Sequence, residues 1–389
     1  MAKPKIRFQG YTEDWEQRKV GDYLTESREI GNKGDVARKM TVKLWGKGVY
    51  EKLEAGSTNT QYFIRHANQF IYSKLDFLNC AFGVVPEELE SLETTADVPA
   101  FDCVYMNPYF MFYRAIQPSF YIQNGIIANG SRKAKRIHTD TFLEMPISVP
   151  CLTEQNKIVG YFQSLDHLIT LHQRKCDETK KMKKFMLQKM FPQDGKKVPE
   201  IRFKGFTEDW EQRKLGEVLK ERTERAQGGE ELLSVTIANG VIRQADSEKR
   251  NIASEDKSNY KIVRKGDIPY NSMRMWQGAV GNSEYDGIVS PAYTVLVPTD
   301  EANAKFFMEY FRKENSLQLF QRWSQGLTSD TWNLKYPTLS LMRFSMPSIE
   351  EQNRIAGYFE QLDHLITLHQ RKCDKLQEIK KYMLQNMFI

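Results

Sequence analysis

Residues 165–177 read LDHLITLHQRKCD, and residues 362–374 read the same thirteen residues again. The match extends outward: residues 154–191 and 351–388 agree at 27 of 38 positions, at an offset of 197. A second pair lies upstream. Residues 6–21 (IRFQGYTEDWEQRKVG) and 201–216 (IRFKGFTEDWEQRKLG) agree at 13 of 16 positions, at an offset of 195. Between these blocks, residues 22–150 and 217–347 have similar length but scarcely align. The plan is therefore short motif, variable domain, long repeated segment, then the same again. Near-identical frames around dissimilar inserts imply one architectural task done twice and one reading task done in two ways.

The repeated 38-mer has the period of a coiled-coil helix. Ile158, Phe162, Leu165, Ile169, His172, Cys176, Thr179, Lys183, Met186 and Met190 recur at alternating steps of four and three. Ile355, Phe359, Leu362, Ile366, His369, Cys373, Leu376, Lys380, Met383 and Met387 repeat the series. Pro150 and Pro347 stand just ahead, where proline can begin a helix but not continue one. Ser348 and Glu351 form a capping box, whereas Cys151 replaces the serine in the first copy. Each helix should run about 55 Å. A seam two residues wide cannot be buried alone, and the chain supplies one near-identical partner. The expected fold is α+β: two globular target-recognition domains joined by two long antiparallel coiled-coil helices, a tandem repeat about a pseudo-two-fold axis.

The corresponding division is 1–150 for the first recognition domain, with its motif at 6–21, and 151–191 for the central helix. A linker at 192–200 follows, then 201–347 for the second domain with its motif at 201–216, and 348–389 for the last helix. Within the variable domains, residues 69–72, 104–105, 262–263 and 293–297 are strand-like, and 306–323 is helical.

At 389 residues the chain exceeds what one core usually serves, and its 40% hydrophobic and 27% charged content is that of an ordinary folded protein. The formal charge of +6 permits a polyanionic partner without demanding one. No apolar run follows the start, so no secretory signal is expected, and none approaches the ~20 residues a bilayer span needs. The cysteines, Cys80, Cys103, Cys151, Cys176 and Cys373, are odd in number and lack a C-x-x-C pair. That pattern fits a reducing cytoplasm and neither a disulfide framework nor a zinc ribbon.

Signals for catalysis are thin. Asn107-Pro108-Tyr109-Phe110 resembles the loop that amino-methyltransferases place beside a flipped base, but one proline is missing and no glycine-rich cofactor loop accompanies it. A plain Asn-Pro turn is the better reading. His172 with Cys176, and His369 with Cys373, have zinc-like spacing but lie on the seam, where ordinary packing explains them. No P-loop, catalytic triad or nuclease cluster is present, so neither catalytic nor metal residues are expected. Residues 180–184 read as a solvated, lysine-rich helix face.

The stretches suited to nucleic acid mix basic, amide and aromatic side chains. In the first domain these are Lys43, Trp45 and Lys47, and the cationic run Arg132, Lys133, Lys135 and Arg136, a phosphate clamp in character. In the second they are Arg274, Trp276 and Gln277, with Arg322, Ser324 and Gln325, whose Arg and Gln can pair with guanine and adenine edges.

With its paired Ile-Arg-Phe…Trp-Glu-Gln-Arg-Lys motifs and paired helix openings at 150–158 and 347–355, the whole chain resembles the specificity subunit of type I restriction–modification enzymes. The resemblance implies a non-catalytic subunit that reads a bipartite, asymmetric double-stranded DNA site, one half per domain. It implies helices that set the spacer and dock two methyltransferase subunits, with restriction/translocase subunits joining the assembly. Methyl donor, magnesium and ATP then belong to the partners, and this chain carries no cofactor. A tandem-repeat protein scaffold without DNA is the alternative from composition and repeats alone.

Overall fold

The computed structural model describes residues 3–54, 56–126, 136–193, 196–237, 239–247 and 256–389. The chain divides into two compact units, one of Met1–Gln173 with Arg371–Ile389, the other of Arg174–Gln370. Two helices of 38 residues, Leu152–Lys189 and Ile349–Asn386, run through both sets of residues. Pro150 and Pro347 each stand two residues ahead of a helix start, as their missing N–H and fixed φ require.

Within each unit the two helices pack antiparallel along the seam. In the first, Ile158, Phe162 and Leu165 are buried with Met387 and Phe388. The Cys373 thiol donates to the Ile169 carbonyl, and Lys380 reaches Asp166 on the opposing helix. In the second, Ile355, Phe359 and Leu362 are buried with Met190 and Phe191, the Cys176 thiol donates to the Ile366 carbonyl, and Lys183 reaches Asp363. Positions ascend on one helix as they descend on the other. Ile169, His172, Ile366 and His369 are half-buried. The thiols thus act as small seam residues with a weak donor. Lys180, Lys181 and Lys184 are exposed as expected, whereas Lys183 turns inward.

The repeated motif clasps the start of each helix. Arg7 donates from Nε and Nη2 to the two oxygens of the buried Glu154 carboxylate, at 2.7 and 2.8 Å. Arg202 holds Glu351 in the same bidentate way, at 2.7 and 2.7 Å. Glu351 is therefore more than half of a capping box: Ser348 Oγ accepts from the Glu351 N–H at 3.4 Å, but the Glu351 carboxylate is engaged by arginine. A charge-assisted fork outweighs a bond to a neutral N–H, which is why the box gives way. Beside these forks Trp15 packs edge-on against Phe110 and Phe388, and Trp210 against Phe191. The motif then pairs as a short strand with the residues leading into the helix, Glu16–Lys19 on Pro146–Val149 and Glu211–Lys214 on Arg343–Met346.

The first variable domain carries a five-stranded sheet in the order Ile30–Lys33, Gln61–Ile64, Glu93–Thr95, Lys39–Val42, Val49–Lys52. A four-stranded sheet runs Leu24–Ser27, Ala100–Cys103, Phe70–Tyr72, Phe82–Val84. The second has a three-stranded sheet of Leu219–Glu221, Tyr293–Pro298 and Ile268–Asn271, a hairpin of Leu233–Thr236 with Gly240–Arg243, and an antiparallel pair of Lys261–Val263 with Gly287–Val289. The strand expectations at 69–72, 262–263 and 293–297 agree with this.

Residues 104–105 are not a strand. The Gln155 side chain donates to the Tyr105 carbonyl at 3.3 Å and accepts from the Asn107 N–H at 2.8 Å, drawing the chain off the sheet toward the long helix. Tyr105 adopts a left-handed φ of 55° there. Asn107 is the N-cap of helix Pro108–Ala115, its oxygen accepting from the Tyr109 N–H at 2.9 Å and its amide donating to Asn156 at 2.8 Å. Asn303 likewise caps helix Ala304–Phe311, accepting from the Phe306 N–H at 3.0 Å, and pairs with Gln352 and Asn353 as Asn107 does with Gln155 and Asn156. The helical stretch 306–323 is two helices, since Lys313 turns extended ahead of Glu314–Trp323.

Candidate nucleic-acid interface

In the first unit, Lys43, Trp45 and Lys47 share the exposed turn that joins Lys39–Val42 to Val49–Lys52. The turn is pinned from beneath: the Trp45 N–H donates to the Asn79 carbonyl at 2.9 Å and the Gly46 N–H to the Cys80 carbonyl at 2.7 Å. Trp45 has a φ of 63° and is 62% exposed. The Lys43 ammonium lies 5.1 Å from the Tyr50 ring centroid. Helix Pro118–Gly125 presses on the same Phe77–Asn79 turn, for a side chain at Gly125 would strike Leu78. Arg132, Lys133 and Lys135 lie outside the described residues. Arg136 is described, half-buried, with its guanidinium 3.5 Å from the Asp97 carboxylate.

In the second unit the two sequence stretches come together. Arg274 and Gln277 join side chains at 3.1 Å on the turn Met275–Gln277, and the Trp276 indole N–H closes that turn on the Met273 carbonyl at 3.1 Å. The Trp276 ring meets Trp332 edge-on, centroids 5.2 Å apart. Asn333, next to Trp332, exchanges backbone hydrogen bonds of 3.0 and 2.8 Å with Gln325. Arg322 is exposed in the last turn of Glu314–Trp323, and the Ser324 hydroxyl donates back to the Phe320 carbonyl, ending that helix. Trp276 and Ser324 thus shape the surface, while Arg274, Gln277, Arg322 and Gln325 supply its polar groups. Trp332, which ties the two stretches, carries no local signal in the sequence that marks it.

The two surfaces share one plan despite the unlike sequences. The Tyr72 hydroxyl donates to the Ile137 carbonyl at 3.0 Å, and the Tyr270 hydroxyl to the Leu334 carbonyl at 3.0 Å. Turn Phe77–Asn79 ends on Cys80 in left-handed conformation, and turn Met275–Gln277 on Gly278 likewise. Each surface is built on such a turn with a helix packed on it, Pro118–Gly125 in one unit and Glu314–Trp323 in the other. Among the described residues no group of three or more His, Cys, Asp and Glu is placed to hold a metal. Among them, too, no helix is long and apolar enough to cross a membrane.

Comparison with known proteins agrees with this architecture. The family model for the type I restriction modification DNA specificity domain matches residues 207–379. The type I restriction enzyme MjaVIII specificity subunit of Methanocaldococcus jannaschii is 22% identical over 306 residues, spanning 72% of this chain and 69% of its own length. Among solved structures, the type I restriction-modification system S subunit from M. genitalium superposes with a TM-score of 0.59 at 12% identity, over 100% of this chain and 99% of that one. The HsdS subunit from Thermoanaerobacter tengcongensis gives a TM-score of 0.49 at 15% identity, over 98% of both chains. The family model falls on the second half, and the clasp Arg202–Glu351 within that half is reproduced by Arg7–Glu154 in the first. Residues 207–379 thus match the type I restriction modification DNA specificity domain, and the whole chain shares the fold of the S subunit from M. genitalium.

Proposed function

We propose that each recognition domain reads one half of a bipartite, asymmetric DNA site, while the paired helices set the spacer and dock two methyltransferase subunits. The observation that carries this reading is the doubled clasp under two unlike surfaces. Arg7–Glu154 and Arg202–Glu351 fix the same geometry twice, whereas the matching turns above them carry different side chains, Phe77, Leu78 and Asn79 in one unit and Met275, Trp276 and Gln277 in the other. Equal frames with equal readers would call for a palindrome; equal frames with unequal readers call for two different half-sites. Direct contacts would come from Lys43, Trp45, Lys47, Arg132, Lys133, Lys135 and Arg136 in one half and Arg274, Trp276, Gln277, Arg322, Ser324 and Gln325 in the other.

In this reading the chain is itself non-catalytic and works in the cytoplasm. Methyl donor, magnesium and ATP are bound by methyltransferase and restriction/translocase partners. Methylome sequencing of cells with and without the gene tests it. A split, asymmetric modified motif that disappears with the gene is expected; a continuous or palindromic motif overturns the assignment.

A further inference from the structure

Among the exposed apolar side chains of each recognition domain, one large one lies on the turn of an equivalent hairpin. In the first unit that side chain is Trp45 and in the second Ile237, 62% and 52% exposed. The hairpins correspond through the glycines they lie against. A β-carbon at Gly83 would come within 2.6 Å of Val49 and 3.4 Å of Gly48; one at Gly281 would come within 2.8 Å of Val241 and 2.9 Å of Gly240. Both hairpins are therefore pressed flat on the neighbouring strand just past their tips, which fixes where the tips project.

Trp45 is held outward at a cost. A bulky residue at a φ of 63° is strained, and two backbone hydrogen bonds to Asn79 and Cys80 maintain it. Ile237 and Trp45 have no hydrogen-bonding chemistry in common, so they cannot be doing the same job by reading base edges. Their shared property is apolar bulk on a rigid support, with exposed Lys43 and Lys47 flanking the tryptophan where phosphates would lie. Apolar side chains so placed unstack a base step and bend the duplex.

We propose that Trp45 and Ile237 are wedges, each inserting between adjacent base pairs of the half-site its own domain reads. The inference rests on the domains being DNA readers. Its test uses the full chain with its methyltransferase partner and a duplex of the methylated motif that carries 2-aminopurine in each half-site and a dye at each end. The parent protein is expected to raise 2-aminopurine fluorescence in both halves and shorten the end-to-end distance. Trp45→Ala is expected to abolish the signal in the first half alone, with a loss of affinity of roughly 5- to 150-fold, the usual range for one base-stacking side chain, and an unchanged salt slope. Trp45→Phe keeps most of the signal, and Ile237→Ala removes the other half's. The pair Lys43→Ala and Lys47→Ala flattens the salt slope and leaves fluorescence intact. A Trp45→Ala protein of unchanged melting temperature that still unstacks the first half overturns the wedge while sparing the DNA-reading assignment. A parent protein that binds the motif no better than a scrambled duplex overturns both.

Discussion

Lys183 on the first long helix donates to both oxygens of the Asp363 carboxylate on the second, at 2.8 and 2.7 Å, and to Glu309 of the recognition domain at 2.9 Å. The other unit repeats the arrangement with one change. Lys380 reaches Asp166, but the third group is Tyr113, whose hydroxyl donates to Asp166 at 3.0 Å. Each cluster ties both long helices to one helix of the recognition domain, Ala304–Phe311 or Pro108–Ala115. The charges differ: burial pushes the Glu309 carboxyl above its usual pKa, and Lys183 works against that shift.

Removing Lys183 should therefore cost more than removing Lys380. Lys183→Met strands the buried Glu309 and should lower unfolding free energy by about 3 kcal/mol, the low end for breaking a buried pair because Asp363 is part-exposed. Lys380→Met leaves Asp166, which is 42% exposed and still accepts from Tyr113, and should cost about 1 kcal/mol. Adding Glu309→Gln to Lys183→Met should recover most of the loss. Urea unfolding of the three variants decides this, and equal losses for the two lysines would refute it.

A second prediction concerns pH. The His66 ring lies between Glu29 and Glu90, 2.9 Å and 2.6 Å away, and hydrogen bonds to them hold its pKa above the ordinary histidine value. The same pairing, with the Ala67 N–H, holds Glu90 below the ordinary carboxylate value. A raised histidine stabilises the fold fully below its unfolded pKa, near 6.5, and loses that contribution as pH rises through the higher folded value. The depressed Glu90 contributes above its unfolded pKa and loses it as pH falls through its folded one. The cluster should thus stabilise the first unit most at mildly acidic pH, modestly because all three groups are well exposed. His66→Asn should flatten the decline of the urea midpoint between pH 6 and 8; an unaltered slope would count against the assignment.

The clasps make a third prediction. Asn303→Ala removes the cap on Ala304–Phe311 and the contact to Asn353, and should cost about 1–2 kcal/mol. Arg202→Met leaves the 1% exposed Glu351 without its fork and should cost about 3 kcal/mol. At a temperature where the variants are partly unfolded, methylation should fail at sites whose second half-site binding depends on this unit, while the first half of the motif stays unchanged in any residual modification. Motif drift in the first half would show that the domains do not fold their surfaces independently.

The helices were legible because two signals agreed, a four-three seam and a duplicate that could bury it; Ile158, Phe162, Ile355 and Phe359 are all in the core. The shared plan of the variable domains was not legible. It rests on backbone acceptors, such as the Ile137 and Leu334 carbonyls under Tyr72 and Tyr270, and a carbonyl leaves no trace in the sequence. Tyr105 departs from its strand expectation for a related reason: a local apolar run suggests a strand, but Gln155, fifty residues on, decides its course. The stretches around Arg274 and Arg322 could each be picked out, yet it takes the packing of Leu317 beside Gly278 and the Trp276–Trp332 contact to make them one surface.

The last prediction addresses the spacer. The boundary between the units crosses the long helices at Gln173–Arg174 and at Gln370–Arg371. Seven residues of helix-forming, heptad-patterned sequence inserted at both points would leave the clasp, the lysine cluster and the recognition surface of each unit untouched. The matched insertions keep the seam in phase on both helices, which an insertion in one helix would not. They add about 10.5 Å of helix, and a base pair rises about 3.4 Å, so the modified motif should gain about three base pairs of spacer with both half-sites unchanged. DNA twist shifts with that spacing, so slower methylation is expected even where the new motif is used. Methylome sequencing of cells carrying the lengthened protein reads the outcome directly. If the protein folds, assembles with its methyltransferase partner and still modifies the original motif, the helices are not the ruler, and spacing must be set by the partner.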